Sequence, residues 1–166
     1  MIRELSRNIF FYTTILVFQI FVFNQINLLG FITPFLYLII FIHYKTSYNK
    51  TILIFLGFIT GIIIDLSMQT YGCHTFATIT ICYSRTWIEK YSFGVNSNLP
   101  SAMISGTQLI NRLIFFGIII FIHSSIYYSL IYFNIELFWT IVLNIIINSI
   151  ITFIIIWLIS QLISNK

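Results

Sequence analysis

The chain alternates between long apolar runs and short polar clusters, and six such runs account for most of its length. The first extends from about Asn8 to Asn24 and stops at Asn24-Gln25. The second covers about Ile26 to Tyr44 and is interrupted by Gly30 and Pro34. After the turn Lys45 to Lys50, a third runs from Thr51 to about Met68. The cluster Gln69 to Gly72 leads into a fourth that ends near Trp87. The fifth covers about Leu113 to Phe133 and the sixth about Leu137 to Leu162. Between the fourth and fifth lies the one long polar segment, Glu89 to Asn111. Turn formers dominate it up to Pro100, and a short helix lying at the membrane surface is expected from Ser101.

Ile, Phe and Tyr abound and favour strands in water. A membrane-barrel strand, however, alternates polar and apolar residues. The segment Ile145 to Leu158 is apolar on every face apart from Asn148, Ser149 and Thr152. In lipid a backbone must satisfy its own hydrogen bonds, so a run of this length predicts a helix. The expected fold is all-α: a single domain over residues 1–166, a bundle of six transmembrane helices.

Composition reinforces that picture. Hydrophobic residues form 59% of the 166 positions and charged residues 7%, against about 25% in an ordinary soluble domain. So few charges cannot cover a water-facing surface. At about 20 residues per span, the length accommodates six spans and leaves no room for a soluble catalytic domain. The N-terminus has basic residues before an apolar run, Arg3 and Arg7 before Ile9 to Phe23, but lacks a small-residue cleavage site, so an uncleaved first span is expected.

The sequence pI of about 9.2 does not imply nucleic acid, because the cations stand singly or in pairs between apolar runs. Arg3 and Arg7 precede the first run, and Lys45 and Lys50 separate the second from the third. Arg85, Lys90 and Arg112 fall around the fourth-to-fifth connection, and Lys166 follows the sixth run. In a six-span arrangement all lie on one side, which the positive-inside rule assigns to the cytoplasm, with both chain ends. Trp87, Trp139 and Trp157 near span ends read as interfacial anchors.

Candidate chemistry is sparse. Asp65 is the one carboxylate within a span and lies near the outward end of the third. Carboxylates there face protein or water, and a structural role for Asp65, capping or bonding the next helix, is expected in preference to a direct functional contact. His74, just across the turn, is its expected partner, as a hairpin clasp in preference to a proton relay. His123 belongs to a relatively polar fifth span with Ser124, Ser125, Tyr127 and Tyr128, expected to make interhelical hydrogen bonds. His43 and His74 fall on opposite sides, so no metal site is expected. Cys73 and Cys82, nine residues apart, are expected to be small apolar residues without a disulfide. Gly57 and Gly61 form a small-xxx-small motif that shares a face with Asp65 and allows close helix approach. Asn144 and Asn148 have the same four-residue spacing in the sixth run. The chain has no nucleophile–base pair, phosphate loop or zinc motif, so neither an enzyme nor a cofactor is expected.

Several short stretches resemble MreD, the rod shape-determining membrane protein of bacteria, in the short form found among Bacteroidetes. They are Leu29-Gly-Phe-Ile-Thr-Pro34-Phe-Leu-Tyr37, Gly61-Ile-Ile-Ile-Asp65-Leu, Gly72-Cys-His74 and Tyr83-Ser-Arg85. The later spans match mainly through His123 and hydropathy. The resemblance implies a non-enzymatic scaffold of the cell-elongation (rod) complex in the bacterial inner membrane. Its implied partners are MreC, MreB, RodA and a class B penicillin-binding protein, together with membrane lipids and no nucleic acid. It also implies a fold similar to the substrate-binding components of energy-coupling-factor transporters. A small-molecule uptake component of that vitamin-binding kind is the alternative, with Asp65, His74 and His123 lining an outward cavity.

Overall fold

A computed structural model describes the backbone of residues 2–26, 32–45, 48–94 and 108–164, with side chains from Asn8 to Leu162 within those ranges. Among the described residues the fold is helical, without a β-strand. The helices are α1 (Ile2–Phe18), α2 (Leu38–Ile42), α3 (Lys50–Met68), α4 (Cys73–Phe93), α5 (Leu109–Tyr132) and α6 (Phe138–Ser164). A π-helical turn, Gln19–Phe23, extends α1, and a 3-10 turn, Ile135–Leu137, precedes α6. Helices Lys50–Met68 and Leu109–Tyr132 and the segment Ile135–Leu162 are each long and apolar enough to cross a membrane. Residues 95–107, which include the rest of the stretch to Pro100 and the start of the surface helix expected from Ser101, lie outside the described residues, as do Leu29, Gly30 and Phe31.

Helices α3, α4, α5 and α6 pack in chain order as successive antiparallel neighbours. Asn49 caps α3 by accepting from the Thr51 amide at 2.9 Å, satisfying one of the orphan donors at a helix start. At the other end of this bundle lie two tight turns, Gln69–Gly72 and Phe133–Leu137 (the turn end, as opposed to the basic end marked by Lys45, Lys50 and Lys90).

Two of the expected spans differ from the sequence reading. The second run, expected to be a helix from Ile26 to Tyr44, is helical only over Leu38–Ile42. Residues 32–35 are irregular, and a turn at Leu36-Tyr37 leads into the short helix. This segment is nonetheless the centre of the molecule: Phe35, Tyr37, Leu38 and Ile39 are fully buried. Irregular backbone at such depth is tolerated only where protein surrounds it. The fourth run continues to Phe93, so Arg85 and Glu89 belong to a helix interior and not to a polar connection. Both are buried. Hydropathy misplaced that boundary because it counts the charges and cannot see that they neutralise one another inside the bundle.

Candidate functional site

Three clusters of buried polar groups lie in order from the turn end to the basic end. The first is built on Asp65, in the last turn of α3. Its Oδ1 accepts from the Thr70 hydroxyl at 2.5 Å and the His74 amide at 3.0 Å. Its Oδ2 accepts from the Thr75 amide at 2.8 Å and hydroxyl at 2.5 Å. Helix α4 begins after Gly72, which has no side chain to cap it. Asp65 therefore supplies from the previous helix the cap that α4 lacks, and places an anion at the positive end of the α4 dipole. Gln69, in the left-handed conformation with φ 56°, and Gly72, with φ 93°, let the chain reverse within this short turn.

Gly57 and Gly61 face α4. A Cβ on Gly61 would stand 2.4 Å from the Thr75 Cα, and one on Gly57 2.8 Å from the Cys82 Sγ. The Thr78 hydroxyl lies 2.9 Å from the Gly57 carbonyl. The small-residue face, the Asp65 clasp and the start of α4 thus form one continuous hairpin seam.

The second cluster surrounds the irregular segment. Its backbone groups find side-chain partners where helix bonds are missing. Gln19, in the π-helical turn and fully buried, accepts from the Tyr37 amide at 3.1 Å and donates to the Pro34 carbonyl at 3.1 Å. Its amide also donates to Asn24 Oδ1 at 2.8 Å, and Asn24 reaches Ser67 on α3 at 2.8 Å. The Phe35 amide donates to the Thr152 hydroxyl of α6 at 3.2 Å. The Tyr37 hydroxyl sits between His74 Nδ1, at 2.8 Å, and His123 Nε2, at 2.7 Å. Phe35 presents its ring edge-on to both imidazoles, with centroids 5.3 and 5.0 Å away. Tyr127 stacks on His74 at 4.3 Å.

The third cluster is an ion pair within α4. Arg85 Nε lies 2.8 Å from Glu89 Oε1, and both side chains are buried. The guanidinium donates through Nη2 to the Tyr44 carbonyl at 2.5 Å and lies over the rings of Tyr44 and Phe115, 5.6 and 5.8 Å from their centroids. Tyr44 follows α2, so Arg85 ties the chain just beyond that short helix to α4.

No family model matches this chain, and no curated protein or solved structure is measurably similar to it. The geometry alone describes its interior.

The residues singled out from sequence fall into all three clusters. Asp65 and His74 are neighbours, as expected, but the carboxylate bonds the His74 backbone amide, and the imidazole turns to Tyr37 and His123. His74 and His123 are brought together with ring centroids 6.0 Å apart. Pro34 contributes its carbonyl to Gln19. Gly57 and Gly61 pack on α4, and Arg85 belongs to the basic end. Cys82 is buried against Gly57 and Cys73 is half-buried. Trp87 and Trp139 are 65% and 76% exposed, as anchors would be, whereas Trp157 packs on Phe116 at 5.8 Å with Arg112 over its ring. Sequence reasoning missed Gln19, Tyr37, Thr70, Thr75, Glu89 and Thr152. One signal was available for Gln19, the lone amide inside the first apolar run, and another for Thr152, four residues beyond Asn148.

Proposed function

We propose that this protein is a membrane-embedded, non-enzymatic adaptor of the bacterial cell-elongation machinery. It sits in the cytoplasmic membrane with six crossings and both ends inside, and supports cell shape and lateral peptidoglycan synthesis. Its partners on this reading are MreC, MreB, RodA and a class B penicillin-binding protein. The support is the sequence resemblance to MreD together with where its residues fall. Pro34, Tyr37, Gly61, Asp65, His74 and Arg85 all serve as joints between helices. A scaffold of this kind needs a rigid interior and free lateral faces. Phe10 and Phe21 on the first helix, and Leu143, Ile150 and Leu158 on α6, provide such faces.

The test is in-cell crosslinking followed by gentle purification from native membranes and mass spectrometry of what accompanies the protein. Recovery of MreC with wall-synthesis enzymes is the expected result. Recovery of an uptake transporter's ATPase and coupling subunits would replace this reading with the vitamin-uptake one. The observation that bears on that alternative is a cleft of about 520 Å³ at the turn end, lined by Ile62, Asp65, Leu66, Gln69, Tyr71, Gly72 and Thr75. It includes Asp65 but neither His74 nor His123, and the Asp65 oxygens are already engaged by α4. The adaptor reading is therefore preferred.

A further inference from the structure

The adaptor reading takes the Tyr37–His74 contact only as a joint and leaves its protons out of account. The Tyr37 phenol carries a single proton, yet it lies within hydrogen-bond distance of two ring nitrogens, His74 Nδ1 at 2.8 Å and His123 Nε2 at 2.7 Å. It can donate to one and accept from the other. With neutral rings, one facing nitrogen bears a hydrogen and the other is bare. Because one ring faces the phenol with Nδ1 and the other with Nε2, both histidines must then hold the same tautomer. Either both are protonated on Nδ1 or both on Nε2.

This fixes the far ends of the network. In the first state His74 Nε2 is a bare acceptor and His123 Nδ1 an N–H donor, and in the second state the roles exchange. Both far nitrogens are buried and have no partner among the described residues, and the same holds for the Ser124 hydroxyl and both amide atoms of Asn148. His74, His123, Ser124 and Asn148 are all wholly inaccessible. Buried polar atoms find partners with few exceptions, and where protein supplies none, ordered water does.

The placement of Asn148 follows from its neighbours on α6. Asn144 donates to the Tyr132 hydroxyl of α5 at 3.0 Å, and Thr152 accepts from Phe35, whose ring touches both imidazoles. Asn148 lies between these two contacts on the same helix face, at four-residue spacing from each. The row of four-residue steps continues through Ile156 to Ser160, winding gradually around α6, and all five positions are buried. From Asn144 to Ser160 it extends for about 24 Å at 1.5 Å per residue. Within a helix of otherwise apolar character this is a polar stripe turned inward.

We propose that Tyr37, His74 and His123 form a proton relay whose two ends contact water held in the bundle, with Asn148 and the α6 stripe lining the water at the His123 end. The step balances as follows. A proton from water adds to His74 Nε2, and the hydrogen on His74 Nδ1 passes to the Tyr37 oxygen. The phenolic hydrogen passes to His123 Nε2, and the hydrogen on His123 Nδ1 leaves to water at that end. One proton enters, one departs, no bond between heavy atoms changes, and both rings exchange tautomer together.

Nitrogen-15 NMR of histidine-labelled protein in lipid bilayers tests this, with His43→Asn removing the third histidine. Both remaining residues are expected to show one shared tautomer, or a single common exchange rate, with cross-peaks from His74 Nε2 and His123 Nδ1 to water. In Tyr37→Phe the shared rate splits into two independent ones, and in Asn148→Leu the water contact at His123 is lost while that at His74 persists. Opposite tautomers in the unmodified pair, dry far nitrogens, or a Tyr37→Phe variant with unchanged coupling would each overturn the relay. Should Tyr37→Phe fail to fold, the tautomers and water contacts of the unmodified pair decide by themselves.

Discussion

At the scale of single residues, the hairpin seam makes graded predictions. Gly61→Ala places a methyl 2.4 Å from the α4 backbone at Thr75, where no side chain can move aside. Overpacking of this kind costs about 1–3 kcal/mol, occasionally more, and thermal unfolding in detergent should show it directly. Gly57→Ala meets a cysteine sulfur that has rotational freedom, so its midpoint should fall less. Asp65→Ala removes the acceptor for two backbone amides and two hydroxyls. Each buried donor left unpaired costs about 1–3 kcal/mol, so this variant should be the least stable of the three. Asp65→Asn keeps one carbonyl oxygen and should fall between wild type and Asp65→Ala in the same measurement. An Asp65→Ala protein as stable as wild type would mean that the clasp contributes nothing. The sequence placed Asp65, Gly57 and Gly61 on one face, since helical spacing is enough for that. It did not indicate Thr70 and Thr75 as donors, because their role depends on how the turn between α3 and α4 bends.

At the scale of elements, the contrast is between helices set by hydropathy and one that hydropathy misrepresents. Runs three, five and six were legible because each is long, apolar and closed by polar turns, and each became a helix within a few residues of the expected limits. The second run has the same composition but is mostly irregular. Hydropathy reports burial, and this segment is the most buried of all; it does not report whether backbone groups bond within the segment or to side chains outside it. Gln19 and Thr152 make that difference. Gln19→Leu preserves size but leaves the Tyr37 amide and Pro34 carbonyl without partners. Amide exchange at Tyr37 should accelerate markedly while α5 stays protected. Thr152→Val, which keeps the shape and removes only the hydroxyl, should have the same local effect at Phe35. The ion pair of α4 follows a related rule. Glu89→Gln leaves the Arg85 guanidinium buried beside a neutral group, and breaking a buried pair costs about 3–5 kcal/mol. A detergent-solubilised Glu89→Gln protein should therefore unfold well below wild type, and Arg85→Lys should not substitute, since lysine cannot both hold Glu89 and reach the Tyr44 carbonyl in one plane.

At the scale of the whole molecule, the distribution of charge and the two turns define opposite ends. If six crossings place the basic end in the cytoplasm, a cysteine at the 98%-exposed Tyr71 should react with an impermeant maleimide added to the outside of intact cells or spheroplasts. A cysteine at Lys90 should react only after the membrane is opened. The reverse pattern would invert the molecule, and equal labelling of both from outside would remove the six-crossing arrangement. Among the described residues Lys45, Lys50 and Lys90 share the basic end, while Arg85 serves the interior and not the surface. Its role was hidden because a lone arginine in sequence looks the same whether it faces phosphate or a buried glutamate.

The irregular segment also constrains the order in which the protein can be made. Membrane helices ordinarily enter the bilayer one at a time, each carrying its own hydrogen bonds, and pack afterwards. The amides of Phe35 and Tyr37 instead bond side chains elsewhere in the chain. The hydroxyl that accepts from the Phe35 amide is 117 residues further along the chain. If the second run is a crossing, as the six-crossing proposal has it, a ribosome working from the N-terminus delivers it to lipid before Thr152 has been synthesised. It must wait as a provisional helix, or in the keeping of the insertion machinery, until α6 arrives and its backbone can change partners. Truncation anywhere before α6 therefore strands the centre of the molecule, not merely its last helix.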